Sequence, residues 1–337
     1  MPEPNSNPKD RNWPKDEFGR DEVISQAWLV WAGVILVTIL VLVELFANRA
    51  SRTRAQAIAY CAQDQDYAEP ILRDFQKQTG VKVLPVYDSE AVKTVGLANR
   101  LLAERSHPQC DLFWGNEELR TRQLAAQNVF RETNAWAAFG YRSRRIVINT
   151  NLLSLATAPH SLLELTNETW RGKVALAYPQ FGTTATHFHA LRQFWGDAAW
   201  QTWCRALAAN KPLLVDGNSV VVKMVARGEA ALGMTDSDDI AAGQQEGLPI
   251  LPLPMTPETL LIPNTVAVVR DCPQPLPAQQ LFLYLQRPEV VQRLVAAKAL
   301  EGVSTSEVAA PTLKVDWTAL LRDLDSTTAT LNQIFLR

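Results

Sequence analysis

The chain has 337 residues, 47% hydrophobic and 20% charged, with a formal net charge of −2. That length accommodates two lobes, each with its own apolar core. The near-neutral balance provides no basic face, which argues against a nucleic-acid partner.

Residues 1–25 are rich in proline and charge and read as a disordered tail. Residues 27–46, AWLVWAGVILVTILVLVELF, contain Glu44 as their only charge. At ~1.5 Å per residue this run matches a hydrocarbon core of ~30 Å. Trp28 and Trp31 stand near one end, as interfacial aromatics do. A cleaved signal peptide is the rival reading, but the preceding segment is long and mixed in charge, whereas secretory leaders begin short and basic. The run is therefore read as an uncleaved transmembrane anchor. Lys9, Arg11, Lys15 and Arg20 precede it and Arg49, Arg52 and Arg54 follow it, which leaves its orientation open.

Beyond the anchor, AIAYCAQ reads as a buried strand, and DYAEPILRDFQKQTG as a helix ending at Gly80. VKVLPVY is a strand, EAVKTVGLANRLLAER an amphipathic helix and CDLFWG a short buried strand. The strands RRIVIN and KVALAYP follow, then a helix over 183–195, the strand PLLV and a helix through SVVVKMVARG. AALGMT and TVAVV are later strands, with helices over 279–285 and 288–297. Such alternation predicts an α/β fold with a parallel sheet covered on both faces. Ligands of open α/β sheets bind beyond the carboxyl ends of strands, which selects the loops 63–66, 88–93, 114–118, 180–184, 216–219 and 236–239.

Several of these loops carry chemistry. Gly182, Thr183 and Thr184 stand at an expected helix start, as either an anion cradle or a plain threonine cap. Asn218 or Ser219 is expected to cap the next helix. Asp236, Asp238 and Asp239 crowd three acids into four positions. Capping and the helix dipole explain two of them at ~0.3–1 kcal/mol each, leaving Asp236 at the strand end toward a cleft. His187 and His189 point to different faces of a helix and suit a metal poorly. Cys61, Cys110, Cys204 and Cys272 lack the spacing of a zinc site, leaving free thiols or one disulfide open. No nucleophile motif, P-loop or dinucleotide fingerprint occurs, so no enzyme activity is expected.

The stretches AYCAQDQDYAEPILRDFQKQTGVKV, CDLFWGNEELRTRQLAAQNVF, RGKVALAYP and GEAALGMTDSDD, in that order, resemble the periplasmic solute-binding proteins of ABC importers, specifically the ferric-iron-binding branch. The resemblance covers about residues 56–320, with YRSRRIVINT as a crossover and LIPNTVAVV as the return strand. It implies a two-lobe fold with crossover hinge strands after one transmembrane helix. The lobes are expected over 55–144 plus 265–308 and over 145–264 plus 309–337.

Within that resemblance a histidine of the ferric-binding members stands where this chain has Asp64, and a glutamate near Asn116 and Glu117. Two adjacent tyrosines stand where it has Asp238 and Asp239. Gly182, Thr183, Thr184, Asn218 and Ser219 match turns that hold phosphate or carbonate beside the iron, and Arg144 matches a crossover arginine. The loss of both tyrosines means that ferric chemistry is not inherited. Asp64, Asp238 and Asp239 become metal ligands only if the solute is a metal, and the set would suit a harder or more weakly held cation such as Ca²⁺ or Mg²⁺. A polar or phosphorylated organic solute is the other expectation. No cofactor is expected beyond such a bound ion. The resemblance further implies a membrane permease as partner, a monomeric binding domain, and an inner-membrane anchor with that domain facing the periplasm or exterior. A sensory module signalling through the anchor, or a metal-dependent enzyme on the same fold, are the alternatives.

Overall fold

The computed structural model describes residues 15, 17–18, 22–52, 55–88, 93–133 and 135–336. It divides into two units, Met1–Ala55 and Gln56–Arg337. Most of the expected disordered tail lies outside the described residues, although the helix of the first unit already begins at Glu22.

That helix, α1 (Glu22–Arg52), exposes its large apolar side chains from Trp28 to Val43. The Thr38 hydroxyl donates back to the Val34 carbonyl at 2.7 Å, so the polar group in this stretch is satisfied within the helix. Side chains on α1 are described only over 28–44, and among the described residues no helix is long and apolar enough to cross a membrane.

The second unit opens with β1 (Gln56–Cys61), α2 (Gln65–Thr79), β2 (Lys82–Val86), α3 (Lys93–Ala103), β3 (Leu112–Gly115) and α4 (Glu118–Ala126). The helical spacing of α2 buries Ala68, Ile71, Leu72 and Phe75, and Gly80 ends it in the left-handed region, donating its N–H to Gln76. A long strand, β4 (Trp136–Asn149), then leads into β5 (Val174–Ala177), α5 (Gly182–Trp195), α6 (Asp197–Ala209), β6 (Leu213–Val215), α7 (Asn218–Ala226), β7 (Leu232–Asp236), α8 (Ser237–Gln245) and β8 (Ile250–Pro252). The chain returns through β9 (Leu261–Val268) to α9 (Pro275–Leu285) and α10 (Pro288–Ala296), and ends in α11 (Trp317–Arg322) and α12 (Leu324–Phe335).

The strands run in the order β2-β1-β3-β9-β4-β7-β5-β6, with β8 paired to β4. The sheet is not purely parallel, as the alternation had suggested. β1–β2, β1–β3, β5–β6 and β5–β7 are parallel, but β4 and β9 lie antiparallel to their neighbours. These are the two strands that pass between the halves, and each must traverse the sheet in the reverse sense. β4 pairs with β9 as far as Ser143, then with β7 from Arg144. A bulge between Phe139 and Arg142 interrupts it. Gly140 adopts φ 57° there, and a Cβ at this position would meet the Leu300 side chain at 2.4 Å. Only glycine fits that bend.

One large core gathers Phe188 of α5, Trp200 and Trp203 of α6 and Phe335 of α12. The Phe188 and Phe335 rings meet edge to face at 5.9 Å, which fastens the C-terminal helix to this half. All four cysteines are buried thiols outside any disulfide, so no disulfide between them supports the fold.

Candidate functional site

Strand alternation sets the site. Arg142 and Arg144, two residues apart on β4, point to the same side, and Arg145 points to the other, where it pairs with Glu301 at 2.8 Å. Both same-side arginines are buried, at 3% and 1% exposure. A buried guanidinium requires an anion, and the aspartate run at the β7–α8 junction supplies it.

Arg144 Nη1 donates to Asp236 Oδ1 at 2.7 Å and to Asn218 Oδ1 at 2.8 Å. The other oxygen, Asp236 Oδ2, accepts from Thr183 Oγ1 at 2.7 Å and from Asn218 Nδ2 at 3.2 Å, with Arg142 Nη2 3.6 Å away. Burial opposes ionisation of Asp236, but Arg144, Arg142 and Thr183 together hold it below the usual carboxylate range. Asp236 is the backbone N-cap of α8, yet its side chain makes no capping bond. Its partners come from β4, α5 and α7 instead.

Asp238 behaves in the opposite way. Its Oδ2 accepts from Arg142 Nη1 at 2.6 Å, but its Oδ1 is buried without a donor. Burial, only partly offset by Arg142 and reinforced by the charges of Asp236 and Asp64, pushes Asp238 up to about 6. Arg142 itself is held firmly charged: burial opposes this, and Asp238 and Asp236 outweigh it. Asp239, half-buried in the first turn of α8, completes a set in which one carboxylate oxygen each of Asp236, Asp238 and Asp239 lie within 4.8 Å of one another.

The first half of the chain faces this cluster. Asp64 is half-buried at the start of α2 and close enough to raise Asp238. Tyr67, in the first turn of α2, is raised to about 12 by burial and then by Asp238, Asp239 and Asp64. Asn116 contributes its backbone carbonyl, which accepts from Arg142 Nη2 at 2.8 Å. Glu117 is fully buried and fully used: its carboxylate accepts from the N–H groups of Leu119 and Arg120, capping α4, and from Thr186 Oγ1 of α5 at 3.0 Å. It therefore ties one half of the molecule to the other.

The expected caps at 183 and 218 are replaced by different arrangements. The N-cap of α5 is Phe181, and Gly182 takes φ 53° in the first turn; the N-cap of α7 is Gly217. Thr183 and Asn218 are thereby free to turn toward Asp236. Thr184 is buried in α5, and Ser219 is half-buried in α7. Of the loop 88–93, residues 89–92 lie outside the described residues.

Sequence reasoning missed Arg142, Tyr67 and Thr186. The signal for Arg142 was present, since R-S-R within a strand puts both arginines on one side. Tyr67 was read as an apolar position of α2, and nothing local distinguishes it from one. His187 and His189 do point apart. His187 Nε2 meets the Glu258 carbonyl at 2.8 Å, while His189 lies near Thr328. Both are lowered to about 3, first by burial and then by nearby arginines, so neither carries charge near neutral pH.

Over 205 residues the chain is 26% identical to the Fe(3+)-binding periplasmic protein of Serratia marcescens, a match spanning 56% of this chain and 59% of that protein. The chain thus covers less than two thirds of that relative's length. Iron-bound HitA from Pseudomonas aeruginosa superposes with a TM-score of 0.72 at 18% identity, covering 83% of this chain and 99% of that one. AfuA from Actinobacillus pleuropneumoniae, bound to fructose-6-phosphate, gives 0.70 at 16% identity, covering 83% and 98%. Both likenesses establish the mixed α/β, two-lobe periplasmic-binding-protein fold. The profile of bacterial extracellular solute-binding proteins, a family of binders and not enzymes, matches residues 58–297. The chain belongs to that family of bacterial extracellular solute-binding proteins.

Proposed function

We propose that this chain is the solute-binding subunit of an ABC importer, and that it captures a cationic solute, a metal ion or an ammonium group, between its two lobes. The observation that carries the reading is the open carboxylate set. Asp236, Asp238 and Asp239 converge within 4.8 Å, and Asp238 Oδ1 is buried with no donor. A buried carboxylate oxygen without a partner is costly, and a cation removes that cost. Asp64 and the Tyr67 phenol, facing the set from α2, would close the coordination. Oxygen ligands alone favour a hard ion such as Ca²⁺ or Mg²⁺ over one that needs softer donors.

Asp236 also bears on the anion half of the site. Thr183 and Asn218, the residues expected to cradle a phosphate or carbonate, already bind the Asp236 carboxylate, as does Arg144. The chain therefore carries its own anion in the cradle, and a phosphorylated solute would compete with it. This favours a cation taken up without a companion anion.

The change of partners of β4 at Ser143–Arg144 supports lobes over 55–144 plus 265–308 and over 145–264 plus 309–337. The exposed apolar face of α1 supports an uncleaved inner-membrane anchor over residues 27–46, with the binding unit facing the periplasm beside a permease.

Isothermal titration of the full chain with Fe³⁺, Ca²⁺, Mg²⁺ and spermidine, each with and without phosphate, and separately with fructose 6-phosphate, tests the reading. Saturable binding of one cation, insensitive to phosphate, is expected. Binding of fructose 6-phosphate with no cation response would overturn the cation reading, and an obligate phosphate requirement would overturn the built-in anion.

A further inference from the structure

A separate cavity of about 250 Å³ lies behind β4, and none of Asp64, Asp238 or Asp239 lines it. Its wall is largely apolar, with Ile146, Leu162, Met234 and Leu253 among its side chains. Leu155 also lines it and is 52% exposed, which marks where the cavity meets the surface.

The two arginines on the wall each have a carboxylate partner, although Arg144 Nε is buried without an acceptor. Arg144 is paired with Asp236, and Arg145 with Glu301. The Glu258 carboxylate accepts from Ser161 Oγ at 2.8 Å and from the Leu162 N–H at 2.6 Å. An anion would meet guanidinium groups already paired with carboxylates, and a cation would meet a Glu258 carboxylate already satisfied by two donors, so a charged guest gives up its hydration for little in return. Volume points the same way: an apolar cavity of ~150 Å³ suffices for benzene, so this one takes a slightly larger ring system.

His187 sets the polar requirement. The imidazole lines the cavity and is only 2% exposed. Its Nε2 meets a carbonyl oxygen, so the proton of the neutral ring sits on Nε2. Nδ1 is then an acceptor, and it is buried with no donor. Among the described residues no other side chain supplies that donor.

We infer that this cavity is a second ligand site, for a small, uncharged, mostly apolar molecule that carries one hydroxyl or N–H group and donates it to His187 Nδ1. Phenol and indole have this chemistry. The site shares no solute ligand with the acidic cluster, so the two readings stand or fall separately.

Met234 provides the probe, being one of only four methionines. The full chain is labelled with ¹³C-methyl methionine and titrated with phenol, indole, toluene and benzoate, the Met234 signal being assigned through Met234→Leu. Phenol and indole should shift it saturably, with toluene and benzoate at least tenfold weaker. Leu155→Trp, a change at the exposed mouth, should weaken phenol at least tenfold without altering the melting temperature. His187→Phe should erase the preference for phenol over toluene. Should that variant fail to fold, Leu155→Trp still decides. An unmoved Met234 signal with every probe, equal affinity for phenol and toluene, or tightest binding of benzoate would each overturn the proposal.

Discussion

Asp236 and Asp238 are two residues apart at the same strand-to-helix junction, both buried, and they do opposite things. Asp236 lies inward, with Arg144, Thr183 and Asn218 donating to both of its oxygens. Asp238, equally buried, has Arg142 on one oxygen and nothing on the other. The first is held below the ordinary carboxylate range and the second is raised to about 6. Burial is common to both, so it does not separate them; the number of donors does. A cluster of acids is therefore not one feature. Part of it is internal structure, and part is left open for a solute.

The sharpest way to break this contrast is Arg144→Ala. It strands the Asp236 carboxylate without its main counter-charge, and truncating one member of a buried pair costs about 3–5 kcal/mol. Denaturant unfolding should show a loss of that size. The double variant Arg144→Met/Asp236→Leu should recover much of it, because replacing both partners removes the buried charge. A loss below about 1 kcal/mol for Arg144→Ala would mean that the inner pair is not structural.

Acid unfolding probes a second contrast, between the carboxylates and the two buried histidines. His187 and His189 sit at about 3 instead of 6.5. Arg144 and Asp236 face the first, with Arg144 dominant; Arg120 and Arg192 face the second. A lowered folded value means that the unfolded chain binds more protons between about pH 3 and 6.5. Stability is thus complete above 6.5 and falls as the pH drops toward 3. Each histidine should remove about 2 kcal/mol between pH 7 and 5. Urea midpoints across that interval check this, and His189→Phe should halve the slope that the pair contributes.

The outer carboxylates should respond in affinity more than in stability. Asp238→Asn keeps an acceptor for Arg142 and removes the surplus charge, so folding should change by less than about 1 kcal/mol. Cation binding should fall at least tenfold. Unchanged titration by the strongest cation would take the aspartates out of the solute site.

How much of this was legible in the sequence divides along the same line. Strands and helices with a clear period were legible: AIAYCAQ became β1, 183–195 became α5, and the alternation named the loops that converge. Periods carry no information about direction, which is why a parallel sheet was expected where β4 and β9 run antiparallel. Helices α6 and α12 escaped notice: the spacing of Trp200, Trp203, Cys204 and Leu207 in α6 was legible and was passed over, whereas in α12 a polar residue, Thr327, takes one of the buried positions. At the site, residue types were visible and their partners were not. Arg144 and Asp236 are 92 residues apart in the chain, and only the β4–β7 register brings them opposite each other.

The smallest predicted effect concerns how the two halves are held together. Arg122 of α4 lies over the ring of Trp136 at 5.0 Å and over that of Trp317 at 5.3 Å, while pairing with Glu118. Trp136 belongs to the part of β4 that pairs with β9, and α11, which carries Trp317, packs on α4 and α5. On the lobe division proposed above, the clasp joins the two lobes. A partly exposed cation–π contact stabilises by about 0.5–1 kcal/mol. If it exists only in the closed form, Trp317→Leu should weaken solute binding about two- to fivefold, although Trp317 touches none of the proposed ligands. Arg122→Ala should do the same, and the double variant should add nothing further. A drop in melting temperature with unchanged affinity would place the clasp in both open and closed forms. The strain of closure would then fall on the other bonds across the boundary, among them Arg142–Asp238 and Glu117–Thr186, and Thr186→Val, which spares the acidic cluster, would become the variant that loosens the trap.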